Sequence, residues 1–309
     1  MRDAFARAVT ELAAADERVV LLTGDLGVDL FTELAERAPG RFVNVGIAEQ
    51  NLVGVAAGLA YAGKRPVVYS IAPFLTARAN DQIRVAIAAA RAEVLLVGVG
   101  GGLAYGQLGP THHAIEDVAA LRALPGLAVL TPGDPDEAAA ATRAALAHDG
   151  PAYLRLGRNR EPRLLPAGTA YALGRAVTVR EGGDVTLATS GTMLGETLAA
   201  ADLLAARGVS AAVVHFGSVK PLDEEAIVAA LRRSPLLVTV EEHSVLGGFG
   251  GAVAEIAAES GLPVRLRRIG LADTFAHAVG SREHLLAQYG LDAAAVAAAA
   301  DSLVGLRAA

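Results

Sequence analysis

Apolar positions along the 309 residues fall into two patterns, short continuous runs and longer stretches with helical spacing. Residues 2–15 place Phe5, Ala8, Val9, Leu12 and Ala13 three or four apart, the stripe of an amphipathic helix. The run 19–22 is wholly apolar and ends at Thr23-Gly24-Asp25, which reads as a buried strand. Short runs that are apolar throughout or but for one residue recur at 42–45, 66–69, 94–99, 127–130 and 153–156. Helical spacing follows several of them: about four turns from Glu49, a segment reaching Ala90, and 135–147. Beyond residue 171 the alternation resumes, with strands at 185–189, 211–215, 236–240 and 264–267 and helices at 192–207, 223–233 and 249–259. Such alternation predicts an α/β chain with mostly parallel sheets flanked by helices and right-handed crossovers. The polar stretch 159–171, rich in Pro, Gly and charge, has linker composition. We therefore expect a first domain over 1–160, a linker over 161–171 and a second domain over 172–309.

Composition narrows the class. The length allows two proper cores, and 53% hydrophobic residues fit a tightly packed α/β protein. A charged fraction of 19% is low for so large a surface, which hints that another subunit covers part of it. The net charge of −6 and the lack of any Lys/Arg run argue against nucleic acid or an anionic membrane as partner. With no cysteine, disulfides, thiolate catalysis and Cys-based metal sites drop out. The first residues lack an apolar signal core and no apolar run approaches membrane-spanning length, so the expected location is cytoplasmic and the expected ligand a small molecule.

Candidate chemistry concentrates around Glu49, the one charged residue between Arg41 and Lys64. A carboxylate among apolar neighbours is costly unless something takes its charge or its proton. It is either a first-turn acid facing the helix dipole or a functional group. Asp25 sits at the carboxyl end of a strand, where open α/β sheets place ligands, though an Asx-turn explains it too. Phe74 stands at a strand–helix junction in a chain only 4% aromatic, as a site residue or as core. The glycine-rich loop from Gly100 to His113 lacks the third glycine of a dinucleotide fingerprint and reads as an active-site loop. It ends in Gly109-Pro-Thr-His112, whose imidazole would titrate near neutrality. Arg158 suits a bound phosphate or an interdomain carboxylate. Glu241, Glu242 and His243 end a strand and look catalytic by type alone, while glycines at 247–251 suit close strand–helix packing or, less well, a phosphate.

The words around these residues carry a resemblance. Gly46-Ile-Ala-Glu-Gln-Asn51, Ala56-Ala-Gly-Leu-Ala60 and Gly63-Lys-Arg-Pro-Val-Val68 closely resemble the pyrimidine-binding domain of the transketolases and of 1-deoxyxylulose-5-phosphate synthase. Gly109-Pro-Thr-His112, with Glu116-Asp117 and Leu121-Arg-Ala-Leu-Pro125 after it, resembles the same family. Ala188-Thr-Ser-Gly-Thr-Met193 and Val240-Glu-Glu-His-Ser-Val-Leu-Gly-Gly-Phe-Gly250 resemble the C-terminal domain that transketolases share with the β subunits of 2-oxoacid dehydrogenases. The resemblance implies that Glu49 activates thiamine diphosphate through its aminopyrimidine, that Phe74 stacks on that ring, and that Asp25 and Ile71 lie near it. It implies a substrate role for His112, with proton transfer, and for His113 and Arg158, the last on a phosphate. Glu241, Glu242 and His243 would then belong to a domain that chiefly supports dimerisation.

Two departures bear on the substrate. Leu108 and Gly100 stand where transketolases commonly carry an Asp and a His that contact the sugar, and an apolar residue cannot replace a charged hydrogen bond to a hydroxyl. The Gly-Asp-Gly motif of the diphosphate half is missing from the sequence. The resemblance thus implies one subunit of a split transketolase, with no metal ligand of its own. A partner chain carrying Gly-Asp-Gly would bind the diphosphate and Mg²⁺ or Ca²⁺, in an α2β2 assembly around a dimer of this chain. The implied reaction moves a two-carbon ketol unit from a ketose-type donor to an aldehyde. A β subunit of a 2-oxoacid decarboxylating complex and a non-catalytic scaffold are the alternatives.

Overall fold

The computed structural model describes every residue except Val28, Asn159 and Ala309, and leaves aside the side chains of residues 306–308. Asn159, in the expected linker stretch, and Ala309, the end of the expected second domain, thus lie outside the described residues. Strands are β1 (Val19–Thr23), β2 (Phe42–Asn44), β3 (Arg65–Ile71), β4 (Leu95–Val99), β5 (Ala128–Leu130) and β6 (Ala152–Leu156), then β7 (Ala176–Arg180), β8 (Val185–Ser190), β9 (Ala211–Phe216), β10 (Ser218–Lys220), β11 (Leu236–Ser244) and β12 (Arg265–Leu271).

They form two sheets, seven-stranded in the order β10-β5-β6-β4-β3-β1-β2 and five-stranded in the order β12-β11-β8-β9-β7. Pairing is parallel except for β10 on β5 and β7 on β9. Helices cover both faces of the first sheet, which explains why β1, β4 and β6 are buried throughout rather than alternating. One face, with Val20, Leu22, Val68 and Leu96, packs on the helix Glu49–Tyr61 and on Ile83 and Ile87. The other, with Leu21, Val67, Val97 and Leu154, packs on the helices Arg2–Ala15 and Pro135–Ala147. The last of these starts where Asp134 accepts the Glu137 amide and Pro135 opens the first turn.

Among the departures from the sequence expectation, two bear on the site and on how the halves join. The segment after β3, expected as one regular helix, is wound mainly in wide turns over Phe74–Arg78 and Ile83–Ala88, with a short α-helical stretch Asn80–Gln82 between them. Bonds reaching back five residues, Ala89 N to Arg84 O and Ala92 N to Ile87 O, close its end. Such insertions often mark functional segments. The second departure is β10, which leaves the second half of the chain to extend the first sheet. Around it Phe216 and Val219 join the core of the first sheet to Ile227, Phe249 and Val253. The two halves share a core, and no short apolar pattern signals that exchange.

Candidate active site

The wide-turn segment, the start of the helix Glu49–Tyr61 and the loop 100–113 converge at the carboxyl ends of the central strands. Glu49 is only 2% exposed, at the first turn of its helix. Its Oε1 accepts from Ser70 Oγ at 3.2 Å, at the end of β3, and its Oε2 accepts from Arg78 Nη1 at 2.6 Å. A buried carboxylate thus has the partner it requires. Beside it, a Cβ on Gly24 would sit 3.7 Å from Glu49 Oε1, so the turn after β1 approaches the acid closely.

Phe74 is half-buried, with the Arg78 guanidinium 4.5 Å from its ring centroid. The Arg78 side chain, 47% exposed, therefore pairs with Glu49 and covers Phe74 at once. The His112 ring stands edge-on to Phe74, centroids 4.9 Å apart, and Thr111 Oγ1 lies 2.9 Å from its Nδ1. Burial lowers the His112 pKa below the ordinary 6.5, which favours the neutral imidazole. Tyr105 follows, its ring 5.9 Å from that of His112, and Arg158 closes the series with its guanidinium 4.3 Å from the Tyr105 centroid. Burial pushes the Tyr105 hydroxyl pKa up, with the charges of Arg158 and Arg2 opposing it.

The structure thus groups Glu49, Phe74, His112 and Arg158 into one line, with Ile71 half-buried at the end of β3 next to Ser70. Asp25 is exposed in a left-handed turn with φ of 61°, where Asn44 donates to its Oδ1 and accepts its amide. Those bonds tie the ends of β1 and β2 together beside Gly24. His113 does not join the line: it is buried towards the second domain, where burial lowers its pKa and Glu242 and the Ala276 backbone act against that shift. The loop is held from below, since Glu242 accepts from the Leu103 amide at 2.8 Å and from Arg282 at 2.6 Å. Burial alone would raise the Glu242 pKa, but Arg282 holds it below the usual value. Glu241 accepts from Phe249 N and Gly250 N at the start of the helix Phe249–Glu259. His243, its pKa lowered to about 4 by burial, packs beneath Ala119.

Sequence reasoning did not find Arg78, Tyr105 or the basic surroundings of Arg158. That arginine lines a cavity of about 590 Å³ with Arg2, Arg7, Arg160 and Arg163, against the carboxylates of Asp3 and Glu161. The signal is present as four charged residues in Arg158-Asn-Arg-Glu-Pro-Arg163, which linker composition explains equally well.

Residues 1–162 match the family model described as transketolase, pyrimidine binding domain, and 174–296 match transketolase, C-terminal domain. The chain belongs to the transketolase family. A 6-deoxy-6-sulfo-D-fructose transketolase subunit of Clostridium sp. (strain MSTE9) is 40% identical over 301 residues, 97% of this chain and 93% of that one. An apulose-4-phosphate transketolase subunit of Actinobacillus succinogenes is 38% identical over 268 residues, 87% of this chain and 84% of that one. The solved structure of a split-gene transketolase, an inactive β4 tetramer, matches with a TM-score of 0.90 at 38% identity, covering 99% of this chain and 98% of that one. This transketolase-type subunit is therefore of the split kind, with the two-domain α/β architecture expected from its sequence. No helix among the described residues is long and apolar enough to cross a membrane.

Proposed function

We propose that this subunit holds the pyrimidine half of thiamine diphosphate and works as a ketol transferase only when a partner chain supplies the diphosphate and Mg²⁺ half. The observation that carries the reading is Glu49, a buried carboxylate with a ring, Phe74, and a close-packed glycine turn, Gly24, beside it. These residues fit an aminopyrimidine: an acid for a ring nitrogen and an aromatic face for the ring. Asp25 and Ile71 border that place in the proposal. When bound, thiamine diphosphate supplies the nucleophilic carbon and electron sink for breaking and forming a C–C bond beside a carbonyl.

The chain's own residues do the rest. Glu49 shares a proton with the pyrimidine ring nitrogen, and Ser70 keeps its carboxylate oriented. His112, neutral and bonded through Thr111, takes or gives a proton at the oxygen of the reacting carbonyl. Arg158, in a cavity lined by five arginines and two carboxylates, holds the anionic end of the donor. The two relatives are named for a sulfonated sugar and a sugar phosphate, which supports an anionic tail. His113, turned towards the second domain, supports the loop in this reading rather than touching substrate.

Exposed apolar side chains surround the Glu49 helix and the wide-turn segment: Ile47 at 75%, Val55, Tyr61 and Val85. They suit coverage by other subunits, in an α2β2 assembly of the cytoplasm with a homodimer of this chain at its centre. The test is co-expression with a similar-sized partner carrying Gly-Asp-Gly. The assembled enzyme should transfer ketol units from a ketose donor to an aldehyde, while the single chain should not. Glu49→Gln should lower the rate about 10²–10⁴-fold with assembly intact. Full activity of the single chain with cofactor and Mg²⁺, or of the Glu49 variant in the complex, would sink the proposal. Turnover of 2-oxoacids by decarboxylation and oxidation, without ketol transfer, would point to the dehydrogenase-type reading.

A further inference from the structure

Gly100 follows β4 with φ of +78°, a conformation that favours glycine. A Cβ there would run into Cε2 and Cδ2 of Tyr105, because the tyrosine ring lies directly on the glycine backbone. The residue is 7% exposed; its ring centroid lies 5.9 Å from that of His112 and 4.3 Å from the Arg158 guanidinium. Arg158 is exposed and makes no ion pair with a carboxylate among the described residues. What seats its charge is the face of Tyr105, a contact that fixes a long flexible side chain without neutralising it. The Gly100–Tyr105 pair therefore sets how far the free cation stands from the imidazole.

We propose that Tyr105 is a specificity-determining, positioning residue: its ring, admitted by Gly100, holds Arg158 at a set distance from His112 and selects ketose donors whose far end is a tetrahedral oxyanion, phosphate or sulfonate. The inference rests on the ketol-transferase reading and adds the residue that measures the donor. It also accounts for Gly100 itself, since any side chain there would expel the ring. Leu108, 52% exposed further along the same loop, offers no charge to a hydroxyl, which leaves the anionic end as the handle of the donor.

The experiment uses the complex assembled with its partner chain and compares three donors: hydroxypyruvate, which carries the ketol unit without a sugar tail, a ketose phosphate and a ketose with a terminal sulfonate. The readout is the ratio of kcat/KM for each tailed donor to that for hydroxypyruvate, with KM and kcat resolved. Tyr105→Leu should lower the ratio about fivefold, mainly through KM, for whichever tailed donor the enzyme uses. Tyr105→Phe, which keeps the face, should hold it within about threefold. Tyr105→Gln, a second variant without an aromatic face, should repeat the drop if the leucine variant assembles poorly. An unchanged ratio in both faceless variants overturns the inference, as does an equal drop in Tyr105→Phe. Failure of the unmodified complex to use hydroxypyruvate or either ketose overturns the ketol-transferase reading instead, so the two failures are told apart.

Discussion

At the scale of single residues, the neighbour of Glu49 matters as much as the acid. Arg78 pairs with the buried carboxylate and lies on the face of Phe74, so in the proposed reading a pyrimidine would reach both only after the guanidinium swung out. With 47% of its side chain exposed, Arg78 can turn into solvent, provided that another group takes over as partner of the buried carboxylate. In the proposed reading, the cofactor ring would take the place that this guanidinium holds beside Glu49 and Phe74. Replacing it should therefore help binding: Arg78→Met is expected to raise the affinity of the assembled enzyme for thiamine diphosphate a few-fold, read by cofactor titration of activity. A weaker affinity would show that Arg78 instead helps to hold the cofactor. Glu49 was legible because it is a lone charge in an apolar stretch. Arg78 was not, because its pairing depends on how a segment 29 residues away is wound.

At the scale of elements, strands and most helices followed the apolar pattern because parallel strands covered on both faces carry unbroken apolar runs. The wide turns of 74–88 and the short pieces β7 and β10 did not, since neither winding nor edge pairing leaves a periodic trace. The start of the helix Phe249–Glu259 illustrates chemistry hidden in a cap. Burial raises the Glu241 pKa from 4.5 to about 7, against the opposing amides of Gly250 and Phe249. An acid whose folded-state pKa is raised contributes stability below pH 4.5 that is lost as pH rises through about 7. Glu241→Gln has no such proton to lose. Its stability deficit relative to the unmodified protein should shrink between about pH 5 and pH 8, measured as urea midpoints at the two values. A deficit that grew with pH would refute the assignment. Glu241, Glu242 and His243 resembled a catalytic cluster by residue type, yet their bonds go to a helix start, a loop amide and a neighbouring helix.

At the scale of the whole molecule, the two halves are joined by β10, by a common apolar core and by a buried ionic group. Arg155 donates to Asp117 at 2.8 Å and to the carbonyls of Ala114 and Glu242, so one guanidinium holds the active-site loop, the first sheet and β11 together. Burial would raise the Asp117 pKa, and Arg155 keeps it below the ordinary value. Removing one member of such a pair leaves an uncompensated buried charge. Arg155→Met should cost about 3–5 kcal/mol, read by chemical denaturation, and both domains should melt earlier together. Loss confined to one of two separate transitions would mean that the halves are independent. Asp117 and Arg155 were invisible as a pair because each lies in an otherwise ordinary helix or strand.

The order of residues alone determined the α/β class, the two blocks of alternating elements, the family words and the isolated acid, since each depends on near neighbours or on local periodicity. Tertiary structure decided the rest: the arginine that pairs with Glu49 across Phe74, the tyrosine seated on a glycine, the strand that leaves its own half for the other sheet. Those contacts join positions far apart along the chain, and their free energy comes from excluding water at places that no short stretch of residues defines.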